Sequence, residues 1–157
     1  MPLFLVRHAH AGRRKNWDGP DRLRPLSRRG RRQAAGLVEV VELHSDRGVA
    51  RVLSSPYVRC AQTVESLAAR SGLVVEEVAE LAEGASTPDT VALLRRLVDT
   101  TAVACTHGDV VPAVLDAFAC EDGLVLPDDY PYAKGSTWEL EAEGGRFVRA
   151  RYFPPPA

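Results

Sequence analysis

Short apolar runs alternate along the chain with longer segments whose apolar residues recur at helical spacing. Four of these runs are typical of buried strands, at residues 3–6, 49–54, 73–78 and 102–106. Four segments predict helices: 27–43, a segment from Pro56 in its first turn to the terminating Gly72, one opened by Thr87-Pro88, and one that follows Gly108. Residues 136–141 and 147–152 alternate in polarity around Glu143-Gly144-Gly145, which predicts an antiparallel hairpin.

The order of these elements predicts the fold class. Strands that alternate with helices typically form a largely parallel sheet that is covered by helices on both faces. We therefore expect an α/β fold, a three-layer α/β/α sandwich whose mixed, mostly parallel sheet ends in the antiparallel hairpin. Ser27 is expected to cap the first helix, and Pro154 to Pro156 are expected to form a frayed tail.

The length and composition fit a single enzyme domain over residues 1–157. A chain of 157 residues, 45% of them hydrophobic, is long enough to form one proper core. No apolar stretch approaches the length of a membrane-spanning helix and no basic leader precedes the first strand, so we expect a cytoplasmic protein without a membrane partner. Cys60, Cys105 and Cys120 are too widely spaced to predict a disulfide framework or a structural metal.

The formal net charge of -1 hides an asymmetry along the chain. Arginines crowd residues 13–32, whereas glutamates crowd residues 76–83. The basic segment can steer an anion toward the strand ends, although its arginines also suit the solvated face of a helix. Trp17 is the only aromatic residue of this segment, and basic residues without interleaved aromatic residues make a poor nucleic-acid-binding surface, so we expect no nucleic-acid partner.

Cations and imidazoles follow three of the predicted strands. Arg7 and His8 stand directly behind the first strand, Arg59 comes shortly after the second, and His107 directly follows the run at 102–106. In open α/β sheets, ligands bind beyond the carboxyl ends of the strands, where the strand order changes. Such a cluster suits a dianionic phosphate, and it predicts a hydrolase for phosphate esters or phosphoramidates.

Four motifs in a fixed order extend this interpretation. They are Leu5-Val6-Arg7-His8-Ala9, Leu53-Ser54-Ser55-Pro56 with Arg59 and Gln62-Thr63, Leu81-Ala82-Glu83-Gly84, and Thr106-His107-Gly108. Together they resemble the histidine phosphatase superfamily, whose fold is similar to phosphoglycerate mutase, over essentially the whole chain. Because the chain is short, it is most similar to the small SixA-type phosphohistidine phosphatases within this superfamily. Lys134-Gly135-Ser136-Thr137-Trp138 and Arg24-Pro25-Leu26 also resemble the histidine phosphatase domain fused behind a Nudix domain in some bacteria.

The chemistry of phosphoryl transfer assigns roles to these residues. A neutral imidazole has a free lone pair, so His8 is the candidate nucleophile, and a carbonyl bonded to its other ring nitrogen would set the attacking tautomer. Because side chains alternate along a strand, His8 can share a pocket with Arg7 only where the strand ends. Arg7 and Arg59 are predicted to donate several hydrogen bonds each to phosphate oxygens, and protonated His107 is predicted to add a third charged contact.

The leaving group also needs a proton donor. The resemblance implies that Glu83 is this donor. When water later attacks the phosphohistidine, the same carboxyl group would accept a proton from that water. Glu80 is an alternative, because the register of the irregular segment 80–86 cannot be read from the sequence. His10 is interpreted as a rim or surface histidine without a chemical role.

Two other function classes fit some of the same residues. His8, His10, His107 and Asp109 are potential ligands for a metal-dependent hydrolase, although the neighbouring arginines would repel a cation. A non-catalytic module could keep the phosphate site to bind a polyanion. The favoured mechanism requires no cofactor and no metal, and its substrate is a phosphorylated small molecule, such as a nucleotide, or a phosphohistidine protein. Oligomeric state is left open.

Overall fold

The computed structural model describes residues 1–157 and contains one six-stranded sheet. The strands are β1 (Pro2–Arg7), β2 (Arg51–Ser54), β3 (Val75–Glu77), β4 (Ala102–Thr106), β5 (Thr137–Glu143) and β6 (Arg146–Phe153). Their order in the sheet is β3-β2-β4-β1-β5-β6. The first four strands are parallel to their neighbours among themselves, whereas β5 and β6 run antiparallel. The predicted mixed, mostly parallel sheet is confirmed.

Four helices cover the two faces of this sheet. They are α1 (Arg28–His44), α2 (Val58–Arg70), α3 (Thr87–Arg95) and α4 (Val110–Asp122). Alternate residues of β1 face opposite layers: Leu3 and Leu5 pack in the core that contains α3 and α4, while Phe4 and Val6 pack in the core that contains α1 and α2. This double burial explains why the central strands read as continuous apolar runs, and it confirms the three-layer sandwich.

The helix starts are set by side-chain caps and by the turns before them. Ser27 caps α1 by accepting a hydrogen bond from the Gly30 amide, as predicted. The cap of α3 is Ser86, one residue before the predicted Thr87. Pro56 was expected in the first turn of α2, and this is wrong: Tyr57 is still extended, because the Ser55 hydroxyl accepts from the Tyr57 amide and holds the turn open.

The sheet brings the carboxyl ends of β1, β2 and β4 to one edge. β4 lies between the other two strands, with Thr106 in register with Arg7 and Cys105 in register with Ser54. Beyond the strands, the His8 amide donates to the Thr106 carbonyl at 3.0 Å and the Ser55 amide to the Cys105 carbonyl at 2.9 Å. The segments that follow β1 and β2 are therefore anchored on either side of β4.

The prediction of a frayed C-terminal tail is wrong. The ring of Pro156 lies against Gly36 in α1, so closely that a side chain at position 36 would collide with it. Pro155 lies beside Gly135. These apolar contacts compensate the entropy of ordering a segment that is already stiffened by proline. None of the four helices combines the length and the apolar character needed to cross a membrane.

Candidate active site

His8 is the first residue beyond β1, and its imidazole is oriented by the backbone. The side chain is 6% exposed, and Nδ1 lies 2.8 Å from the Ala9 carbonyl oxygen. Because a carbonyl can only accept, Nδ1 carries the proton and Nε2 keeps its lone pair. This is the carbonyl-fixed tautomer that the sequence analysis required of a nucleophile.

The surroundings keep this imidazole neutral. Burial is the main cause that lowers the pKa of His8 from 6.5 to about 3. The positive charges of His107, Arg59 and Arg7 act in the same direction, whereas the bond to Ala9 favours protonation. His8 consequently stays unprotonated throughout the physiological pH range. A neutral imidazole beside cationic groups is the form that can attack an anion held by those groups.

Arg7 lies at the end of β1 with its guanidinium against Gly108. Nη1 donates to the Tyr132 carbonyl at 2.9 Å, while Nε is buried without a partner. A Cβ at position 108 would overlap the guanidinium, so only glycine leaves room for Arg7 here. Burial lowers the pKa of Arg7, and the nearby Tyr132 and Asp109 partly oppose that shift.

Arg59 enters the same space from the first turn of α2. Its side chain is 2% exposed, and its carbon Cζ lies 4.9 Å from the centre of the Tyr57 ring. Nη1 donates to the Asp21 carbonyl at 2.9 Å and Nη2 to Asp21 Oδ2 at 3.1 Å. The third nitrogen, Nε, is buried and has no partner.

His107 follows β4 and completes the cluster. Its Nε2 lies 2.8 Å from the Ser55 hydroxyl and 3.4 Å from Cys60 Sγ, whereas its Nδ1 is buried without a partner. The His107 ring stacks edge-on between two others, with centroids 5.4 Å from His8 and 4.6 Å from Tyr57. The His107 ring is therefore held in place from both sides.

The His107 ring contacts the His8 ring, and the charges of Arg7 and Arg59 act on the same imidazole; we call this cluster of four side chains the His8 pocket. Only four buried side-chain nitrogen or oxygen atoms in the chain lack a hydrogen-bond partner, and three of them are Arg7 Nε, Arg59 Nε and His107 Nδ1. Buried polar groups are almost always hydrogen-bonded, because an unpartnered one loses its hydration without compensation. Three such nitrogens around one imidazole are the arrangement expected of an anion-binding site.

Glu83 lies at the edge of the His8 pocket and Glu80 does not. A Glu83 carboxylate oxygen is 3.7 Å from Arg59 Nη2, and another is 3.3 Å from Arg14 Nη2. The Glu80 carboxylate instead lies 3.7 Å from Arg96, away from the pocket. The segment is held by the Gly84 amide, which donates to Asp109 Oδ2 at 2.9 Å. The structure thus separates two carboxylates that the sequence analysis left as alternatives.

Asp21 contacts the pocket and was missed by the sequence analysis. Its carboxylate binds Arg59 at 3.1 Å, Arg24 at 3.0 Å and Arg14 at 3.2 Å. Burial alone would raise the pKa of Asp21, but the hydrogen bond from Arg24 and the three positive charges lower it below 3.8. Among many arginines, a single aspartate in a loop carries no periodic signal that would reveal this role.

Thr63 and Gln62, recognised only as motif residues, hold the backbone around His8. The Thr63 hydroxyl accepts from the Ala9 amide at 3.0 Å and donates to the Arg59 carbonyl at 2.7 Å. Gln62 Oε1 accepts from the Leu26 amide at 2.8 Å. Through these bonds α2 fixes both the segment after His8 and the loop that carries Asp21.

The alternative metal site of His8, His10, His107 and Asp109 does not form. His10 Nδ1 is bonded to the Ser27 hydroxyl at 2.6 Å, at the start of α1, and Asp109 is bonded to Gly84. No group of three or more His, Cys, Asp or Glu side chains in the chain is arranged to hold a metal ion. Strand β1 ends at Arg7, so the alternation of strand residues does not place His10 on the same face as His8.

Comparison with known proteins agrees with the site geometry. The sequence model of the histidine phosphatase superfamily (branch 1) matches residues 3–87. An 8-oxo-(d)GTP phosphatase of Mycolicibacterium smegmatis is 36% identical over 159 residues, which cover 98% of this chain and 48% of that protein. The chain therefore spans about half the length of this curated relative.

Solved structures share the fold. The protein histidine phosphatase SixA, in its complex with tungstate, superimposes with a TM-score of 0.76 at 19% identity, over 98% of this chain and 95% of that one. A mycobacterial glucosyl-3-phosphoglycerate phosphatase complexed with VO3 gives a TM-score of 0.70 at 20% identity, over 96% of each chain. These matches confirm the phosphoglycerate mutase-like fold, and with the sequence match they establish that the chain belongs to the histidine phosphatase superfamily.

Proposed function

We propose that this chain is a phosphatase that hydrolyses a phosphomonoester or phosphoramidate through a phosphohistidine intermediate on His8. The observation that supports this most is the set of unpartnered nitrogens of Arg7, Arg59 and His107 around an imidazole held neutral by burial. Such donors match the charge that spreads over the non-bridging oxygens of a transferring phosphoryl group. Residues 1–157 are proposed to act as one histidine phosphatase domain.

In the first step, His8 Nε2 attacks the phosphorus atom in line with the leaving atom. The P–O or P–N bond of the substrate breaks, its electron pair stays on the leaving atom, and a protonated Glu83 supplies the proton to that atom. Arg7, Arg59 and His107 stabilise the three phosphoryl oxygens during the transfer. The site is preorganised for this, because Gly108, Asp21 and Tyr57 hold the two guanidinium groups in place.

In the second step, water attacks the phosphohistidine. The Glu83 carboxylate takes a proton from this water, the bond between phosphorus and His8 Nε2 breaks, and its electron pair returns to the imidazole. Inorganic phosphate leaves and His8 is neutral again. The Ala9 carbonyl keeps Nδ1 as the protonated nitrogen throughout, so that Nε2 is ready for a further turnover.

The substrate class is proposed from the relatives together with the charges around the pocket. The Mycolicibacterium smegmatis relative is named for nucleotide substrates, and SixA for protein phosphohistidine. Both solved neighbours hold an oxyanion, tungstate or VO3. We infer that the partner is a phosphorylated small molecule, with a nucleotide as the leading candidate, or else a phosphohistidine protein.

The proposal is tested by trapping the covalent intermediate. Wild type and His8→Ala are incubated with p-nitrophenyl phosphate, a nucleotide and a phosphohistidine protein, and acid-labile phosphate on the chain is measured after rapid quench. We expect His8→Ala to lose at least about a thousandfold in kcat/KM and all of the trapped phosphate. His10→Ala is the matched control and should retain both, because His10 is bonded to Ser27 outside the pocket.

Three outcomes, the last from adding EDTA to the same assay, contradict the proposal. Turnover that survives in His8→Ala would exclude His8 as nucleophile, and phosphate binding without release by wild type would favour the non-catalytic module. Turnover that chelation by EDTA abolishes would favour metal-dependent hydrolysis.

A separate variant tests the proton donor. Glu83→Gln should lower the turnover of an alkyl phosphate far more than that of an aryl phosphate, whose leaving group needs little protonation. Glu80→Gln is the control and should affect neither substrate.

A further inference from the structure

Lys134 lies on a segment that is tied directly onto the backbone of the candidate nucleophile. The amide of Gly135, its neighbour, is shared between the Arg7 carbonyl at 3.1 Å and the His8 carbonyl at 3.0 Å. Tyr132, two residues before Lys134, accepts the hydrogen bond from Arg7 Nη1. The exposed Lys134 thus lies next to the backbone that carries Arg7 and His8, close enough for the charges of Arg7 and Arg59 to act on its ammonium group.

Lys134 is a cation without an anionic partner in a basic environment. It is exposed, and it forms no ion pair and no side-chain hydrogen bond, whereas Arg24 and Arg59 both bind Asp21. Partial burial lowers the pKa of Lys134, and the positive charges of Arg7, Arg24 and Arg59 lower it further. An ammonium among like charges is unfavourable in the free protein, and a negatively charged ligand removes that repulsion.

The position of Lys134 limits which anion it can meet. Arg7, Arg59 and His107 already supply the unpartnered donors for the phosphoryl group beside His8. Lys134 lies outside that set, on the rim, and therefore suits a second anionic group that is attached to the first. An ester of phosphate with a neutral alcohol has no such group. A phosphoanhydride has one on the far side of the bridging oxygen.

We propose that Lys134 binds the phosphate adjacent to the phosphoryl group that His8 attacks, so that the preferred substrate is a phosphoanhydride such as a nucleoside di- or triphosphate. This inference rests on the proposed phosphatase function. The bond from His8 Nε2 to the terminal phosphorus forms while the bond from that phosphorus to the bridging oxygen breaks. The electron pair goes to the inner phosphate, and Lys134 neutralises the charge that develops there. Water then releases the terminal group as inorganic phosphate.

The test compares substrates that do and do not carry the second phosphate. Lys134→Ala is assayed with inorganic pyrophosphate, a nucleoside triphosphate, the corresponding monophosphate and p-nitrophenyl phosphate. We expect kcat/KM to fall about tenfold for pyrophosphate and for the triphosphate, the loss expected for one charge-assisted hydrogen bond, with kcat/KM for the aryl phosphate unchanged within about twofold. Lys134→Arg should restore most of the lost kcat/KM. Lys15→Ala is the control, because Lys15 is the only other lysine of the chain.

The results that overturn the inference differ from those that overturn the phosphatase itself. Equal effects of Lys134→Ala on all four substrates, or no effect on any of them, would each refute the role of Lys134 with phosphoanhydrides. These results would leave the proposed phosphatase function standing as long as His8→Ala abolishes turnover of the aryl phosphate. Aryl phosphate turnover that survives in His8→Ala would instead refute the proposed function.

A second measurement needs no turnover. Because the chain has two lysines, acetylation by an N-hydroxysuccinimide ester can be followed at each of them by mass spectrometry. In His8→Asn, which cannot consume the probe, pyrophosphate should protect Lys134 at least about fivefold better than phosphate at equal ionic strength, while Lys15 is not protected. Equal protection of Lys134 by the two anions would contradict the second phosphate position.

Discussion

Arg59 and Arg95 are both paired with an aspartate and both lie over an aromatic ring. They differ in burial and in how their hydrogen-bond donors are used. Arg95, the last residue of α3, binds both oxygens of Asp122 at 3.0 and 2.9 Å, and its side chain is 30% exposed. Arg59 binds Asp21 at 2.9 and 3.1 Å, is 2% exposed, and keeps a buried Nε without a partner. The more deeply buried arginine is thus the less satisfied one.

The two aspartates explain this difference. Asp122 also accepts from the Phe147 amide, so the pair with Arg95 joins α3, α4 and β6. Asp21 instead serves several arginines from a loop and holds them around the His8 pocket. A structural arginine uses its donors within the fold, whereas an arginine that awaits an anion must keep donors free at a cost in stability.

Arg59→Ala should have the largest effect and should separate activity from stability. We expect kcat/KM to fall about a thousandfold, because a buried cation is removed from a transferring phosphoryl group. The measurement is turnover of p-nitrophenyl phosphate alongside urea unfolding. Arg95→Ala is the matched control and should keep activity within about threefold. Equal losses of activity in the two variants would erase the distinction between the two arginines.

Gly108→Ala displaces an arginine of the pocket without changing any charge. The added Cβ would overlap the Arg7 guanidinium, so we expect a loss of about a hundredfold in kcat/KM from misplacement alone. Gly36→Ala is the control, since it creates a similar collision with the ring of Pro156 and none with Arg7. Activity that falls equally in both variants would indicate general loss of structure instead of a displaced Arg7.

As the pH falls, the contribution of His8 to the free energy of unfolding should be lost before that of the ion pair between Arg95 and Asp122. His8 has a pKa of about 3 in the fold and 6.5 when unfolded, so the unfolded state gains a proton first and stability falls as the pH drops below 6.5. Between pH 6.5 and about pH 5 this amounts to roughly 2 kcal/mol, which His8→Asn should abolish. Burial raises the pKa of Asp122, but Arg95 and the Phe147 amide lower it below 3.8 overall, so the contribution of Asp122 is lost only at lower pH.

This prediction is measured as the free energy of unfolding in urea at the two pH values, for wild type and for His8→Asn. A proton NMR titration of the His8 ring provides an independent check. A wild-type slope equal to that of His8→Asn, or a ring that titrates near pH 6.5, would mean that His8 is not held neutral by its surroundings.

Arg95→Ala should give the smallest of these effects, and it acts on stability alone. We expect a loss of about 1 to 2 kcal/mol in the free energy of unfolding, because Asp122 keeps the Phe147 amide but loses its cation in a site that is partly exposed. Urea unfolding at neutral pH measures it. A variant as stable as wild type would show that this pair contributes nothing to the fold.

Sequence patterns predicted the layers of the fold because burial on two faces leaves a clear signal. β4 has the bounds of its apolar run, and the helix expected after Gly108 forms as α4, with Val110, Val114 and Phe118 in the core. The pocket followed from the same logic, since residues directly after parallel strands meet at one edge. His8 and His107 lie where that logic placed them.

The remaining features depend on contacts between loops that have no periodic pattern. Asp21 accepts two hydrogen bonds from Arg59 and Tyr132 accepts one from Arg7, and no local sequence preference encodes these bonds. Segment boundaries failed for a similar reason: Pro56 lies outside α2 because the Ser55 hydroxyl bonds to Tyr57 and His107. Tertiary contacts decided these positions, and local propensity did not.

The hydrogen bond from Arg7 to Tyr132 joins residues 125 positions apart, and the stack of His8 on His107 also spans most of the chain. Closing such large loops is slow, because entropy is lost before the contact can form. During refolding from denaturant, helical signal should therefore return ahead of enzymatic turnover. Recovered turnover would then show that the C-terminal strands have packed. A chain truncated before these strands would contain the sequence motifs but would be inactive.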